Sequence, residues 1–337
     1  MCKGIILMNK KMTSAEIGKL WTVHMGNTLS KCVLSYFIQH VEDPEIKTVV
    51  NDALNLTNDL LERTDHLFKN ENSPVPIGLT EKDVDLDAPR LYSDLFYLYY
   101  LKYVTKAGLS IYSTAIPLMM RDDVKEFILY SNSNTIELIN KVKGTLDKKG
   151  YLQEPATIPI PENVMYISKQ SYLSGFFGEV RPLHALEIAH LFDNVENNIT
   201  SKALLTGFTQ VAKKDDVKNF LLRGKKMAMQ HVEQLSHKLR KEDLPSPPLI
   251  DDLVEASTTS PFSDKLMMTH KIDMFSMKIR TYANALSLNG RRDIGAMYGK
   301  LLLDIGRYVE DGANIMIDHG WMEQPPHAVN RDQLSSN

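Results

Sequence analysis

TSAEIGKLWTVHMGNTLSKCVLSYFIQH (residues 13–40) and HALEIAHLFDNVENNITSKALLTGFTQV (residues 184–211) are two copies of one helical segment. The correspondence continues at a constant offset of 171, from Thr13 opposite His184 to Pro76 opposite Pro247. Fifteen of these 64 positions are identical, and others are conservative swaps such as Trp21 with Phe192. After a one-residue deletion the match resumes at an offset of 170. Tyr92-Ser93-Asp94 then answers Phe262-Ser263-Asp264, and Lys149-Gly150-Tyr151 answers His319-Gly320-Trp321. Solenoid units are about 20–50 residues long, so a repeat of this size marks a duplicated domain.

Each copy reads as four helices. Thr13 and Glu16 have capping-box spacing, and Ile17, Leu20, Trp21, Leu34 and Phe37 recur with helical periodicity. Asp43-Pro44-Glu45 stops the first helix and starts the second, which is predicted over 44–69. A non-helical stretch follows at 72–89, with Pro74, Pro76, Gly78 and Pro89. The third helix starts at the Ser93-Asp94 cap and runs to 119. The fourth follows a turn at Arg121-Asp122 and ends at Lys149, with Gly150 as a left-handed cap. The second copy places helices at 184–213, 215–241, 264–288 and 291–319.

Connection lengths set the topology. Short first and third connections make antiparallel pairs, while a second connection of about 20 residues can travel the length of a bundle, the ferritin-like arrangement. The predicted fold is therefore all-α: two tandem ferritin-like four-helix bundles, each with one long crossover, related by internal duplication. They are assigned to 10–150 and 182–325. A Pro- and aromatic-rich linker at 151–181 is expected to pack on the bundles, and 326–337 to form a flexible tail.

Composition narrows the function classes. The chain has 337 residues, enough for two cores, and is 43% hydrophobic and 24% charged, ordinary for a globular protein. A net charge of −3 with interspersed signs argues against a nucleic-acid partner. No apolar run reaches the roughly 18–20 residues of a membrane span, and the apolar start Ile5-Ile6-Leu7-Met8 is too short for a secretory signal. Two cysteines, Cys2 and Cys32, are too few for a disulfide framework. A cytoplasmic setting is expected.

Several segments carry a family resemblance: Glu16-Ile17-Gly18-Lys19-Leu20-Trp21 with Glu187-Ile188-Ala189-His190-Leu191-Phe192, then Ala88-Pro89-Arg90-Leu91-Tyr92-Ser93-Asp94, Ser260-Pro261-Phe262-Ser263-Asp264-Lys265-Leu266-Met267-Met268 and Glu310-Asp311-Gly312-Ala313-Asn314-Ile315-Met316-Ile317-Asp318. Over about residues 10–330 the chain resembles an uncharacterised family of duplicated ferritin-like bundles from endospore-forming bacteria, distantly similar to spore coat protein F. The resemblance implies the fold and an association with the spore. It implies no catalytic residues.

Di-metal ferritin-like proteins use a Glu on each of two helices and Glu-x-x-His on each of the others. The one such motif here is Glu187-Ile188-Ala189-His190. Its Glu matches Glu16 at the capping position, and its His falls on the solvent side, so metal ligation is not expected there. Glu62/His66 and Glu233/His237 are kept in both copies but lie opposite the buried stripe, as surface i,i+4 pairs. His231 and His270 do fall on the inward stripe of the second copy, opposite Leu60 and Tyr100 of the first. Asp273 and Asn284 are placed beside His270, and Asn198 on the flank. These five are the candidate ligand-binding residues, with His231 and His270 the candidate metal ligands. A satisfied hydrogen-bond network accounts for them equally well, and no cofactor is expected. Asn27 and Asn198 share one mid-helix position and hence one structural role.

Phe96-Tyr97-Leu98-Tyr99-Tyr100-Leu101 with Tyr103 is apolar almost all round, which points either to an interface or to a core helix under a loop. Methionines at 227, 229, 267, 268, 274 and 277 are read as adaptable core filler. No phosphate loop, nucleophile elbow or Cys/His pair occurs. The expectation is a non-catalytic structural or interaction protein with protein partners or self-association. The alternative is a metal- or small-ligand-binding protein using the interior of the second bundle.

Overall fold

The computed structural model describes residues 11–331. Cys2, the signal-like start, the bundle boundary at residue 10 and the last six residues of the expected tail lie outside the described residues. The described residues form eight long helices: α1 (Ser14–His40), α2 (Pro44–Asn70), α3 (Asp94–Ala115), α4 (Asp122–Lys148), α5 (Ala185–Val211), α6 (Asp215–Arg240), α7 (Asp264–Leu288) and α8 (Arg292–Asp318). They form two four-helix bundles, α1–α4 and α5–α8. Within each, one long crossover joins the second helix to the third. None of the described helices is long and apolar enough to cross a membrane.

The helix ends follow local chemistry. Thr13 Oγ1 accepts the Glu16 amide, and the Glu16 carboxylate returns to the Thr13 amide at 2.7 Å. His184 and Glu187 form the same box, with imidazole Nδ1 as acceptor. Gly150 and Gly320, at φ 75° and 65°, close the last helix of each bundle. The third helix departs from expectation. It ends at Ala115 in a short 3-10 turn containing Pro117, and Ser93 makes no side-chain cap bond. Asp94, one residue on, instead binds the amides of Glu42 and Asp43 in the first interhelical corner. Asp264 does the same for Lys213 and Lys214.

A local two-fold relates the crossovers. Val84 pairs with Phe262 and Tyr92 with Val254, both antiparallel, and at the offset of 170 each pair is the image of the other. Their hydrogen bonds repeat in the same way. Asp85 N to Pro261 O, at 2.8 Å, answers Glu255 N to Leu91 O, at 2.9 Å; Ser263 N to Asp83 O answers Ser93 N to Leu253 O, both 2.9 Å. The two bundles therefore meet as an isologous dimer does, through self-complementary patches, within one chain.

This arrangement explains the aromatic stripe of α3. Phe96, Tyr97, Leu98, Tyr100, Leu101 and Tyr103 are all buried because one side faces the first bundle and the other faces α5 and α7. One apolar core runs through both bundles, with a smaller one at the far end of the first. The buried methionines 267, 268, 274 and 277 belong to the shared core.

The stretch between the bundles touches them at a few points and is exposed between them. Leu152 reaches the core, Tyr172 stacks under Arg181 at 4.3 Å, and Gly175 sits against Asp293. Between these anchors Ile160, Val164, Met165 and Tyr166 are 86–92% exposed.

Candidate functional site

The second bundle has a polar interior built on one face of α7. Lys271, Phe275, Lys278, Tyr282 and Ala285 recur at alternating spacings of four and three and are all buried. Lys278 Nζ donates to Asn198 Oδ1 at 2.9 Å. The Asn198 amide donates to Asn194 O and to the Tyr282 hydroxyl, each at 2.7 Å. That leaves the Tyr282 proton for His231 Nδ1, 3.0 Å away. Lys271 donates to Ser201 Oγ at 2.5 Å, and Asn194 donates to the Tyr298 hydroxyl at 3.3 Å.

Burial governs the charges. It lowers the Lys278 ammonium to about 7. Lys271 lies well below its ordinary value because of burial and the nearby Lys278 charge. His231 is held at about 3 by burial and then by the two lysines. Neither lysine has a carboxylate within ion-pair distance among the described residues. The cluster is a chain of neutral or cationic donors ending on a neutral imidazole.

His270 lies elsewhere. Its Nε2 is 2.8 Å from the Tyr100 hydroxyl of the first bundle, and its ring packs on Phe208. His231 and His270 are thus bonded to different tyrosines in different bundles, and Asn198 belongs with His231. Asp273, partly buried, faces the seam between the bundles and neither accepts a hydrogen bond nor makes an ion pair among the described residues. Asn284 is exposed, with its carbonyl taking the Ser287 hydroxyl. The inner-side assignment of Asn284 fails because His270 marks the α7 face toward the first bundle. At Asn284, Ser287 and Leu288 that face has passed beyond its partner.

These residues do not fit a metal ion. Among the described residues no group of three His, Cys, Asp or Glu side chains converges, and two ammonium-bearing side chains occupy the core where a cation would need anionic ligands. Glu187, the carboxylate of the Glu-x-x-His motif, is fully committed. It binds Arg181 at 2.8 and 2.9 Å and accepts the amides of His184, Gly290 and Arg291. Burial raises its affinity for a proton, but Arg181 and the amides outweigh this and hold it at about 2. Glu16 plays the same part with the amides of Met120 and Arg121. His190 is half-buried rather than solvent-facing. Glu62, His66, Glu233 and His237 are exposed, but His66 meets Asn70 and Glu233 meets Arg240 instead of pairing within the motif.

Asn27 and Asn198 do share a role. Each amide bonds the carbonyl four residues back, Val23 or Asn194, and each lies against an equivalent tyrosine of the third helix, Tyr112 or Tyr282. Around this pair the copies diverge: Leu60, Leu101 and Gly108 of the first bundle become His231, Lys271 and Lys278. Sequence reasoning missed the two lysines because lysine is ordinarily a surface residue. Their seven-residue spacing, in phase with Phe275, Tyr282 and Ala285, is the signal that reveals them.

Residues 2–164 and 171–334 match the family described as "Protein of unknown function (DUF3231)". No curated protein matches the chain. A solved structure from Bacillus halodurans C-125, described as a "putative spore coat protein", is similar at 16% identity and a TM-score of 0.42, over 44% of this chain and 98% of that one. Matched over both copies, the chain belongs to the DUF3231 family and carries its domain twice.

Proposed function

We propose that this is a non-catalytic structural or interaction protein that assembles with copies of itself through its linker. The observation behind this reading is the outward display of Ile160, Val164, Met165, Tyr166 and Phe177, each at least 86% exposed. Clustered apolar side chains in water mark interaction surfaces. The stretch 156–181 has two acidic residues, Glu162 and Glu179, and two basic ones, Lys169 and Arg181, so no net charge opposes a second copy. The interior supports the same reading, since its polar side chains largely bond one another and converge on no reactive centre.

The test is the solution mass of the full chain by light scattering over a concentration series, beside a variant with Ile160, Val164, Tyr166 and Phe177 changed to Ser. Assembly of the parent and a monomeric variant are expected. A parent that stays monomeric at high concentration refutes self-association. Association with the spore rests on the sequence resemblance; recovery of the protein in purified spores or their coat extracts, rather than in vegetative cytoplasm, tests it.

A further inference from the structure

The two seams between the bundles are images of one another but are filled differently. In the α3–α5 seam, Lys106 binds Asp193 at 2.6 Å, Glu196 at 3.0 Å and Asn197 at 3.4 Å, and Lys102 binds Glu196 at 2.5 Å. In the α1–α7 seam the equivalent positions hold short or apolar side chains. Ser276 and Ile272 replace the two lysines, while Thr22, Met25 and Gly26 replace Asp193, Glu196 and Asn197. Side chains that fill the first seam are missing from the second, and a cleft of about 230 Å³ opens there. A further cavity of about 120 Å³ adjoins it and runs into the first bundle, with Gly26 and Asp273 lining both.

The cleft walls include Trp21, Met25, Leu29, Ile272, Met316 and Trp321. Trp321 is held in place because the Glu323 carboxylate accepts the amides of Ile77 and Gly78 across the first crossover. Lys265 at the rim is occupied by Gly78 O at 2.9 Å. The remaining charge is Asp273, standing where the other seam has Tyr103. Arg280, two turns further along α7, is turned to the Ser110 and Ser276 hydroxyls and forms no ion pair with Asp273. Burial raises the Asp273 carboxyl above its ordinary value, and the Arg280 charge further along the helix offsets this only in part.

We propose that the α1–α7 seam binds a small organic ammonium ion with an aromatic or branched aliphatic body, the cation at Asp273 and the body between Trp21 and Trp321. The size fits: an apolar cavity of about 150 Å³ accepts benzene, so this cleft takes a ring with a short amine arm. A half-buried carboxylate amid apolar walls selects an amine over its neutral isostere.

Trp21 and Trp321 are the chain's two tryptophans, so intrinsic fluorescence reports directly on the site. The full chain is titrated with 2-phenylethylamine and with 2-phenylethanol, alongside Asp273→Asn and Gly26→Leu. A Cβ at Gly26 meets nothing within 4 Å, so leucine fills the cleft while improving helix propensity. Saturable amine binding is expected, weakened about tenfold or more by Asp273→Asn and abolished by Gly26→Leu. Alcohol binding should be weaker and unaffected by Asp273→Asn. Absence of saturable amine binding at millimolar concentration overturns the proposal, as does equal amine affinity in parent and Asp273→Asn.

Discussion

Tyr92 of the first crossover sets the phenol end of its ring against Gly207 of α5 and donates its hydroxyl proton to Leu204 O at 2.7 Å. At the image position Phe262 of the second crossover packs edge-on against Tyr36 of α1, their rings 5.1 Å apart. Each crossover thus inserts an aromatic ring into the other bundle. The copies have exchanged bulk, with a tyrosine facing glycine on one side and a phenylalanine facing tyrosine on the other. A Cβ at Gly207 would stand 2.4 Å from the Tyr92 hydroxyl oxygen. Gly207→Ala should therefore destabilise by about 2–3 kcal/mol through overpacking, despite alanine's better helix propensity. Urea unfolding measures this; a neutral or stabilising result would mean that the ring has room to move.

The Glu187 carboxylate ties the start of α5 to the α7–α8 corner. Glu187→Gln keeps its shape but removes the charge facing Arg181, leaving a half-buried guanidinium and amides poorly served. A loss of about 2–4 kcal/mol is expected. Glu16→Gln, without the Arg181 partner, should cost less. The pH sign follows from the depressed value. Stability from Glu187 is full above about 4.5 and is lost as pH falls toward about 2, so the parent's advantage over the variant should vanish in strong acid.

Much of this frame is legible in the sequence. The capping pairs Thr13/Glu16 and His184/Glu187 are local, and residues three apart on one turn cannot avoid each other. The second use of each glutamate, on a corner over a hundred residues away, depends on how α1 meets α4 and α5 meets α8, which spacing does not encode. The same limit applies to the candidate site. His231 and Asn198 are linked inside the second bundle through the Tyr282 hydroxyl, which both bond. His270 points into the other bundle, because a helix buried on two sides has two inward faces and periodicity does not say which belongs to which neighbour. Lys271 and Lys278 escaped notice for a different reason: their identity says surface while their spacing says core.

Lys278 makes stability depend on pH in the alkaline range. Its value is about 7 in the folded chain against an ordinary 10.5, so between these limits the unfolded chain binds more protons. Stability must then rise with pH from about 7 to about 10. Lys278→Met removes the Lys278 share of that slope and leaves the share of Lys271, whose value is also depressed by burial. The variant should be more stable than the parent at pH 6–7, by about 1–3 kcal/mol as for other buried charges replaced by apolar groups, and the difference should shrink toward pH 10. His231 adds a separate acid limb. Held at about 3 against an ordinary 6.5, it contributes stability above 6.5 that is lost as pH falls toward 3. Denaturant melts at stepped pH, parent against variant, resolve the two limbs.

The charged seam makes the last prediction, which concerns the order of two substitutions. Lys102 and Glu196 are both nearly sealed, at 7% and 9% side-chain exposure, whereas Lys106 and Asp193 stand at 21% and 40%. Removing a partner from a sealed pair strands the other charge without water, at a cost of about 3–5 kcal/mol. Removing one from a wetter pair costs less, because water replaces it. Lys102→Met should therefore destabilise more than Lys106→Met, even though Lys106 makes more contacts. With Lys102 gone, Lys106 still reaches Glu196 at 3.0 Å and softens the loss, so the double variant should lose more stability than the two singles added together. Added salt should reduce the Lys106 effect and leave the Lys102 effect nearly unchanged. A Lys106→Met loss that exceeds that of Lys102→Met would show that contact number, and not burial, sets the strength of this seam.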